Sequence, residues 1–239
     1  MKTVVNSLLH VLNGSYSQDT NYNIAAYMLS HPHSLLNDSL EKMAANCGVS
    51  ISTLNRFCKN IGYLNYSTLR EVARIDEESA DITIPEDESS ITDATLQERL
   101  IENLNEIKNM EKYPFKKASD MILQCKHTYI FGSGDSQYPC LYFQNKMLNK
   151  GKLLTICYDS PARISSIRFE PDDLIIVVSI TGGYLSYFEN YVRNAPCHKI
   201  LIGNRANEIF DLQIPCGKYE NHKLRKYSIM AVLERIADF

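Results

Sequence analysis

Residues 40–62, LEKMAANCGVSISTLNRFCKNIG, restrict the fold of this chain more than any other stretch. Two short runs of helical periodicity are separated by Gly48 and Val49, which predicts a helix over Leu40–Cys47, a tight turn and a second helix over Ser50–Ile61. Gly48 is free to take a positive φ at the corner, and Ala44 is small where the two helices must cross. Asp38 with Glu41 resembles a capping box for the first helix, and Ser50 can cap the second. Met43, Cys47, Val49, Leu54 and Phe57 then face inward, which is the pattern of a helix-turn-helix.

The second helix has a polar outer face. At 100° per residue, Leu54, Phe57, Cys58 and Ile61 form one apolar stripe. Ser52, Arg56 and Lys59 point the opposite way, flanked by Thr53, Asn55 and Asn60, with Ser50 at the helix start. Hydrogen-bonding side chains with two cations can reach base edges and phosphates in a major groove. Ser50, Ser52, Thr53, Asn55, Arg56 and Lys59 are therefore the expected DNA-binding residues. From the helix alone, a solvated face in an ordinary three-helix domain stays open.

A chain of 239 residues, 44% hydrophobic and 10% aromatic, has the length for two modest domains and the apolar volume for a packed core in each. Its net charge of −3 conceals a strong segregation. Residues 1–74 carry +2, residues 75–111 carry −10 and residues 112–239 carry +5. The basic footprint of the first segment is weak, so a DNA-binding reading rests on the helix pattern. Seven scattered cysteines with no CxxC pair argue for reduced thiols in a cytoplasmic protein and against a zinc site. Cys47 and Cys58 read as small core residues. No run of about 18 apolar residues is present, so no membrane span is expected. The start of the chain lacks a small-residue cleavage site and reads as a structural helix, not a signal peptide.

Before the helix-turn-helix, a helix is expected from about Asp19 to Ser30, with Ile24, Tyr27 and Met28 packed inward and His31 and His33 in a loop around Pro32. After it, Tyr63–Ala73 reads as a helix capped by Asn65 or Ser67, with Tyr66 and Leu69 covering the small domain. The acidic run Asp76–Ser90, broken by Pro85, reads as a linker or mobile loop. A long amphipathic helix from about Thr92 to Met110 carries a stripe of Leu96, Leu100, Ile101, Leu104 and Ile107, which must be covered either by the second domain or by a second copy. One further helix is expected over Tyr113–Cys125. From His127 the period changes. Short apolar runs at 127–131, 152–156, 173–179, 198–203 and 210–215 read as strands, with helical stretches at 136–149, 162–168 and 185–193 between the first four. That alternation predicts a parallel sheet with helices on both faces, and residues 223–239 add a final helix. The fold class is thus α plus α/β: an all-helical helix-turn-helix domain over 1–75, an acidic linker over 76–91, and a domain over 92–239 built on a five-stranded, mostly parallel sheet flanked by helices.

Two strand ends carry the second cluster of interest. The first strand runs into Gly132-Ser133-Gly134-Asp135-Ser136 and a helix, and the third runs into Ile180-Thr181-Gly182-Gly183. Ligands of open α/β sheets bind at the carboxyl ends of the strands. Glycines there let backbone N–H groups approach a ligand, hydroxyls donate to oxyanions, and the helix after Ser136 adds a positive dipole end. The stretch is neither a dinucleotide GxGxxG fingerprint nor a P-loop, and ordinary strand-to-helix turns also favour Gly and Ser.

Taken together, IAAYMLSHP, CGVSISTLNRFCKNIGYLNYSTLR, IFGSGDSQ followed by YFQNKML, and PDDLIIVVSITGG resemble, in order and spacing over nearly the whole chain, an RpiR-family transcriptional regulator. The resemblance implies a helix-turn-helix domain joined to a sugar isomerase (SIS) domain that senses a phosphorylated sugar, in a homodimer or homotetramer on a palindromic double-stranded operator, with no cofactor, no metal and no catalytic residue. It also implies that the sensing groups are Ser133, Gly134 and Ser136 in the first loop and Ser179, Thr181 and Gly182 in the second. One departure is Tyr184, which stands where a small hydroxyl residue is usual and is expected to crowd the phosphate pocket or shift its preference. Two alternatives stay open: a sugar-phosphate aldose–ketose isomerase using Glu220 or His222 as the base, and a DNA-binding protein whose second domain serves only for assembly.

Overall fold

The computed structural model describes residues 2–15, 17–82, 92–132, 134–157, 167–186 and 188–239. These fall into two compact units, one holding the described residues up to Ile82 and the other nearly all of those from Thr92 onward.

The first unit is all helical. Helix α1 spans Lys2–Gly14 and α2 spans Thr20–Ser30, with Asp19 capping α2 by accepting from the Tyr22 amide at 2.9 Å. Next, α3 covers Pro32–Asn37, so His33 lies on a helix and not in the expected loop. Proline at the first helical position needs no amide donor and has its φ preset, so Pro32 both ends α2 and starts α3. The His31 ring stacks on Tyr27 at 4.1 Å.

Helices α4, Leu40–Asn46, and α5, Ile51–Asn60, form the helix-turn-helix. Their ends are set by two glycines. After α4, Gly48 (φ 66°) donates to Ala45 O and Val49 to Ala44 O. After α5, Gly62 (φ 96°) donates to Lys59 O and Tyr63 to Cys58 O. Both are Schellman closures, which satisfy orphan carbonyls and need a left-handed residue that glycine adopts without a Cβ clash. The cap of α4 is Ser39, which accepts from the Lys42 amide, not Asp38. Asp38 instead ends α3, and its buried carboxylate takes the Lys42 ammonium at 2.7 Å and the Asn46 amide at 3.1 Å.

Met43, Ala44, Leu54, Phe57, Cys58 and Ile61 are buried as expected, while Cys47 and Val49 pack half-exposed at the rim of the same core. Asn65 is the cap chosen for α6: its Oδ1 accepts from the Thr68 amide at 2.9 Å. Helix α6 runs over Tyr66–Ile82, past the expected end at Ala73. Residues 74–82 contain no Gly or Pro, and the first strong breaker is Pro85, so acidity alone does not stop the helix. The rest of the expected linker, 83–91, lies outside the described residues. From α6, the Tyr66 hydroxyl donates to Leu35 O and Asp38 O, and Arg70 and Arg74 donate to Asp38 O and Leu36 O, satisfying the carbonyls at the end of α3.

In the second unit, α7 covers Asp93–Asn109, α8 Tyr113–Gln124, β1 Thr128–Gly132, α9 Gln137–Asn149, β2 Leu154–Cys157, β3 Leu174–Val178, α10 Gly183–Ser186, α11 Glu189–Arg193, β4 His198–Ile202, β5 Leu212–Ile214 and α12 His222–Ala237. The helix expected over 162–168 falls mostly outside the described residues. The five strands form one sheet in the order β2-β1-β3-β4-β5, and all four pairings are parallel. One face is sealed by α7, α8, α9 and α12 over Ile130, Ile176, Val178, Ile200 and Ile214. On the other face the Phe131 ring meets Phe169 and Phe188, and Phe169 meets Tyr129 and Tyr191. No helix among the described residues is long and apolar enough to cross a membrane.

The α7 stripe departs from expectation. Ile107 is buried, but Ile101 is 58% and Leu104 38% exposed, and the fully buried neighbour is Asn103. Its Nδ2 donates to Tyr219 O at 2.9 Å and Ser228 Oγ at 3.1 Å, and its Oδ1 accepts from the Tyr219 amide at 2.9 Å. Burying an amide with its hydrogen bonds made sets the rotation of α7 and leaves one flank of the apolar stripe in solvent.

Candidate functional site

In the first unit, α5 presents Ser52, Arg56 and Lys59 to solvent. Ser50 is occupied as the helix cap, accepting from the Thr53 amide at 3.1 Å, and its Oγ lies 2.9 Å from both Ser52 Oγ and Thr53 Oγ1. Asn55 is half-buried and its Oδ1 accepts from the Tyr66 amide at 3.1 Å, tying α5 to the start of α6. The six residues singled out in the sequence therefore divide: Ser52, Arg56 and Lys59 are free to contact a partner surface, Thr53 is half-buried, and Ser50 and Asn55 hold the helix in place. Burial pushes the Cys58 thiol up to about 12, in keeping with a packing role.

In the second unit, the strand order 2-1-3-4-5 puts its topological switch point between β1 and β3, where the crossovers leave in opposite directions. Both loops singled out in the sequence are there. Gly132 closes β1, and a side chain at that position would lie 3.3 Å from Cys140 Sγ and 3.4 Å from Ser136 Cβ. Gly134 (φ 53°) opens a 3-10 turn, Gly134–Ser136, which leads into α9. Ser136 is half-buried at the α9 N-terminus and its hydroxyl makes no cap bond. Ser133 lies outside the described residues. Beside them, Ser179 is buried and its amide donates to Ile202 O at 3.0 Å, while Thr181 is half-buried and Gly182 has φ 81°. The closeness of this loop to the end of β4 requires glycine at 203: a Cβ there would stand 2.2 Å from Ser179 O. Tyr184 turns toward β2, its hydroxyl donating to Cys157 O at 3.4 Å and its ring meeting Phe188 edge-on at 4.9 Å.

Three residues near this point were not singled out. Gln137, in the first turn of α9, is buried and its Nε2 has no acceptor among the described residues. Arg205 packs its stem on Gly182. Asn204 locks the loop after β4, its backbone donating to Ile180 O and its side chain bonding Gly217 O and the Cys216 amide. The Ser-Gln pair after GSGD was a usable signal for Gln137; the other two come into place only through strand pairing. Glu220, weighed as a base, does not begin α12. Asn221 is the cap, accepting from the Lys223 amide at 2.8 Å, and the Glu220 carboxylate lies 4.0 Å from the Arg205 guanidinium.

A family model described as the helix-turn-helix domain of the rpiR family matches residues 7–79, the span of the first unit's helices α2 to α5 and most of α1 and α6. The first unit thus carries a helix-turn-helix domain of the rpiR type. The chain is 24% identical over 185 residues, 73% of its length and 67% of the other's, to the HTH-type transcriptional regulator GlvR of Bacillus subtilis (strain 168). Among solved structures, the Vibrio vulnificus NanR protein complexed with ManNAc-6P covers 98% of this chain and 90% of its own at a TM-score of 0.53 and 18% identity. The sugar isomerase domain of an RpiR transcription factor from Sphaerobacter thermophilus covers 58% of this chain and 83% of its own at a TM-score of 0.50 and 18% identity. These likenesses establish the fold: a helical helix-turn-helix domain and a parallel five-stranded sheet flanked by helices.

Proposed function

We propose that this protein is a DNA-binding transcriptional regulator of sugar-metabolism genes whose grip on DNA is set by a phosphorylated sugar in its second domain. The observation that carries the reading is the pairing, in one chain, of a helix-turn-helix of the rpiR family with a parallel sheet whose switch point is flanked by two loops of glycines and hydroxyls. The DNA face is Ser52, Arg56 and Lys59, steadied by Ser50, Thr53 and Asn55. The anion site is Ser133, Gly134 and Ser136 with Ser179, Thr181 and Gly182, at the N-terminus of α9. GlvR, a transcriptional regulator, and the NanR complex with ManNAc-6P support this pairing of roles. A homodimer or homotetramer, supported by the exposed Ile101 and Leu104 on α7, places two α5 helices about one DNA turn, roughly 34 Å, apart on a palindromic operator.

Selection of duplexes from a random library by the full-length protein, followed by affinity measurement across a salt series, tests the DNA half. Enrichment of a palindrome is expected. Arg56→Ala then costs about 1–3 kcal/mol if Arg56 reads a base, and Lys59→Ala lowers the salt slope by about one if Lys59 meets a phosphate. A library that emerges unenriched contradicts the proposal.

A further inference from the structure

The residues most exposed to the two strand-end loops include a cation with no role so far. Residues 133–136, 179–182 and 203–211 contain a single Lys or Arg between them, Arg205. Its stem runs along the backbone of the second loop: a Cβ built on Gly182 would lie 3.4 Å from Arg205 Cγ and 3.6 Å from Arg205 Cβ. Those are ordinary contact distances, so the Arg205 stem lies directly against this backbone, and the φ of 81° at Gly182 is what favours glycine there.

The backbone beneath Arg205 is fixed. The Asn204 amide donates to Ile180 O at 3.1 Å, the Gly203 amide to Ile214 O at 3.0 Å, and the Asn204 side chain bridges to residues 216 and 217. The guanidinium is not fixed. Its side chain is 70% exposed, and its charge partner, Glu220 Oε2, lies 4.0 Å away, too far for a hydrogen bond. Glu220 is itself on a held segment: Arg225 Nε donates to its carbonyl at 2.7 Å, and the preceding Tyr219 is bonded through both backbone groups to Asn103. A loose pair of this kind, 4.0 Å apart with the guanidinium in solvent, contributes little to folding. An anion seated on residues 179–182 offers the same guanidinium a bidentate, charge-assisted contact.

We propose that Arg205 is the anion-recruiting residue of this site, restrained by Glu220 in the free protein and drawn onto the negative group of a ligand seated on the Ser179–Gly182 loop. This rests on reading the strand-end loops as an anion site. It assigns Glu220 a competitor's role: its carboxylate occupies the guanidinium until a phosphate displaces it, which makes the site respond to charge as well as to shape.

The test is a thermal-shift titration of the full-length protein with inorganic phosphate at constant ionic strength, for the wild type, Arg205→Gln, Arg205→Lys, Glu220→Gln and the double variant Arg205→Gln/Glu220→Gln. The Arg205 side chain is exposed and that of Glu220 half-buried, and the unliganded melting temperatures report whether each variant is folded. Arg205→Gln is expected to weaken phosphate binding by about tenfold. Arg205→Lys recovers part of the loss, Glu220→Gln tightens binding about threefold, and the double variant matches Arg205→Gln because the competitor has nothing left to hold. A wild-type response that survives Arg205→Gln unchanged overturns the role of Arg205 while leaving the anion site standing. Binding that fails to tighten in Glu220→Gln overturns the restraint. A wild type that does not respond to phosphate overturns the anion site and the inference together.

Discussion

Single residues set the tolerances of both sites. Gly203 is the sharpest case, because the backbone of β4 passes so close to Ser179 that a Cβ would stand 2.2 Å from a carbonyl oxygen. No rotamer relieves a clash between backbone and Cβ, so the loop carrying Ser179 must move. Gly203→Ala is expected to destabilise the second unit by about 2 kcal/mol or more and to abolish any ligand-induced rise in melting temperature; a variant with wild-type stability and response would show that the close packing is not needed. Asp38 makes a comparable point in the first unit. The Lys42 ammonium donating to its carboxylate holds Asp38 below the usual 3.8. A carboxylate with a depressed folded-state pKa stabilises above its unfolded value and loses that contribution as pH falls through the lower folded one. Acid unfolding of the wild type followed from pH 5 downward should therefore be shallower in Asp38→Asn over the range below about pH 4, whereas identical profiles would remove Asp38 from the account.

At the level of elements, the helix-turn-helix and the sheet were legible because their signals are local. Gly48 stands where a Schellman closure needs a left-handed residue, Leu54, Phe57, Cys58 and Ile61 repeat at helical spacing, and LIIVV is a run of β-branched and aliphatic residues buried on both faces of a parallel sheet. The misjudged elements lack such signals. Pro32 reads as a terminator and also serves as a first helical residue; α6 outlasts its apolar stripe because charged residues without Gly or Pro sustain it. The orientation of α7 was hidden for a different reason. The partners of Asn103 are Tyr219 and Ser228, more than a hundred residues away, and no local period announces a buried amide. The same distance in sequence hid Arg205, whose approach to Gly182 exists only because β4 pairs with β3. By contrast, the strand-to-glycine junctions at 132–136 and 179–183 could be read directly, since a strand ending in Gly and Ser before a helix is a local pattern. If Asn103 orients α7, then Asn103→Ala, which strands the backbone groups of Tyr219 and the hydroxyl of Ser228, should cost about 3 kcal/mol by denaturant unfolding. A loss under 1 kcal/mol would mean that water or a local shift replaces those bonds.

At the scale of the molecule there are two units with separate cores, and the proposed function assigns DNA binding to the first and ligand sensing to the second. If the first unit binds DNA as proposed, its polar helix face is weakly charged, and two copies acting together would hold a duplex better than one. The second offers a switch-point site whose loops are knitted to the segment 216–221, which in turn is bonded to α7, the first described element after the acidic run. A ligand that favours one arrangement of these parts by about 1.4 kcal/mol changes DNA affinity tenfold. The direct test is the affinity of the full-length protein for its selected duplex, measured by fluorescence anisotropy with and without each of a panel of sugar phosphates and their unphosphorylated counterparts. At least one phosphorylated sugar should shift the dissociation constant by tenfold or more while its unphosphorylated counterpart leaves it unchanged; a constant that stays the same across the whole panel would contradict the coupling of sugar-phosphate binding to DNA binding.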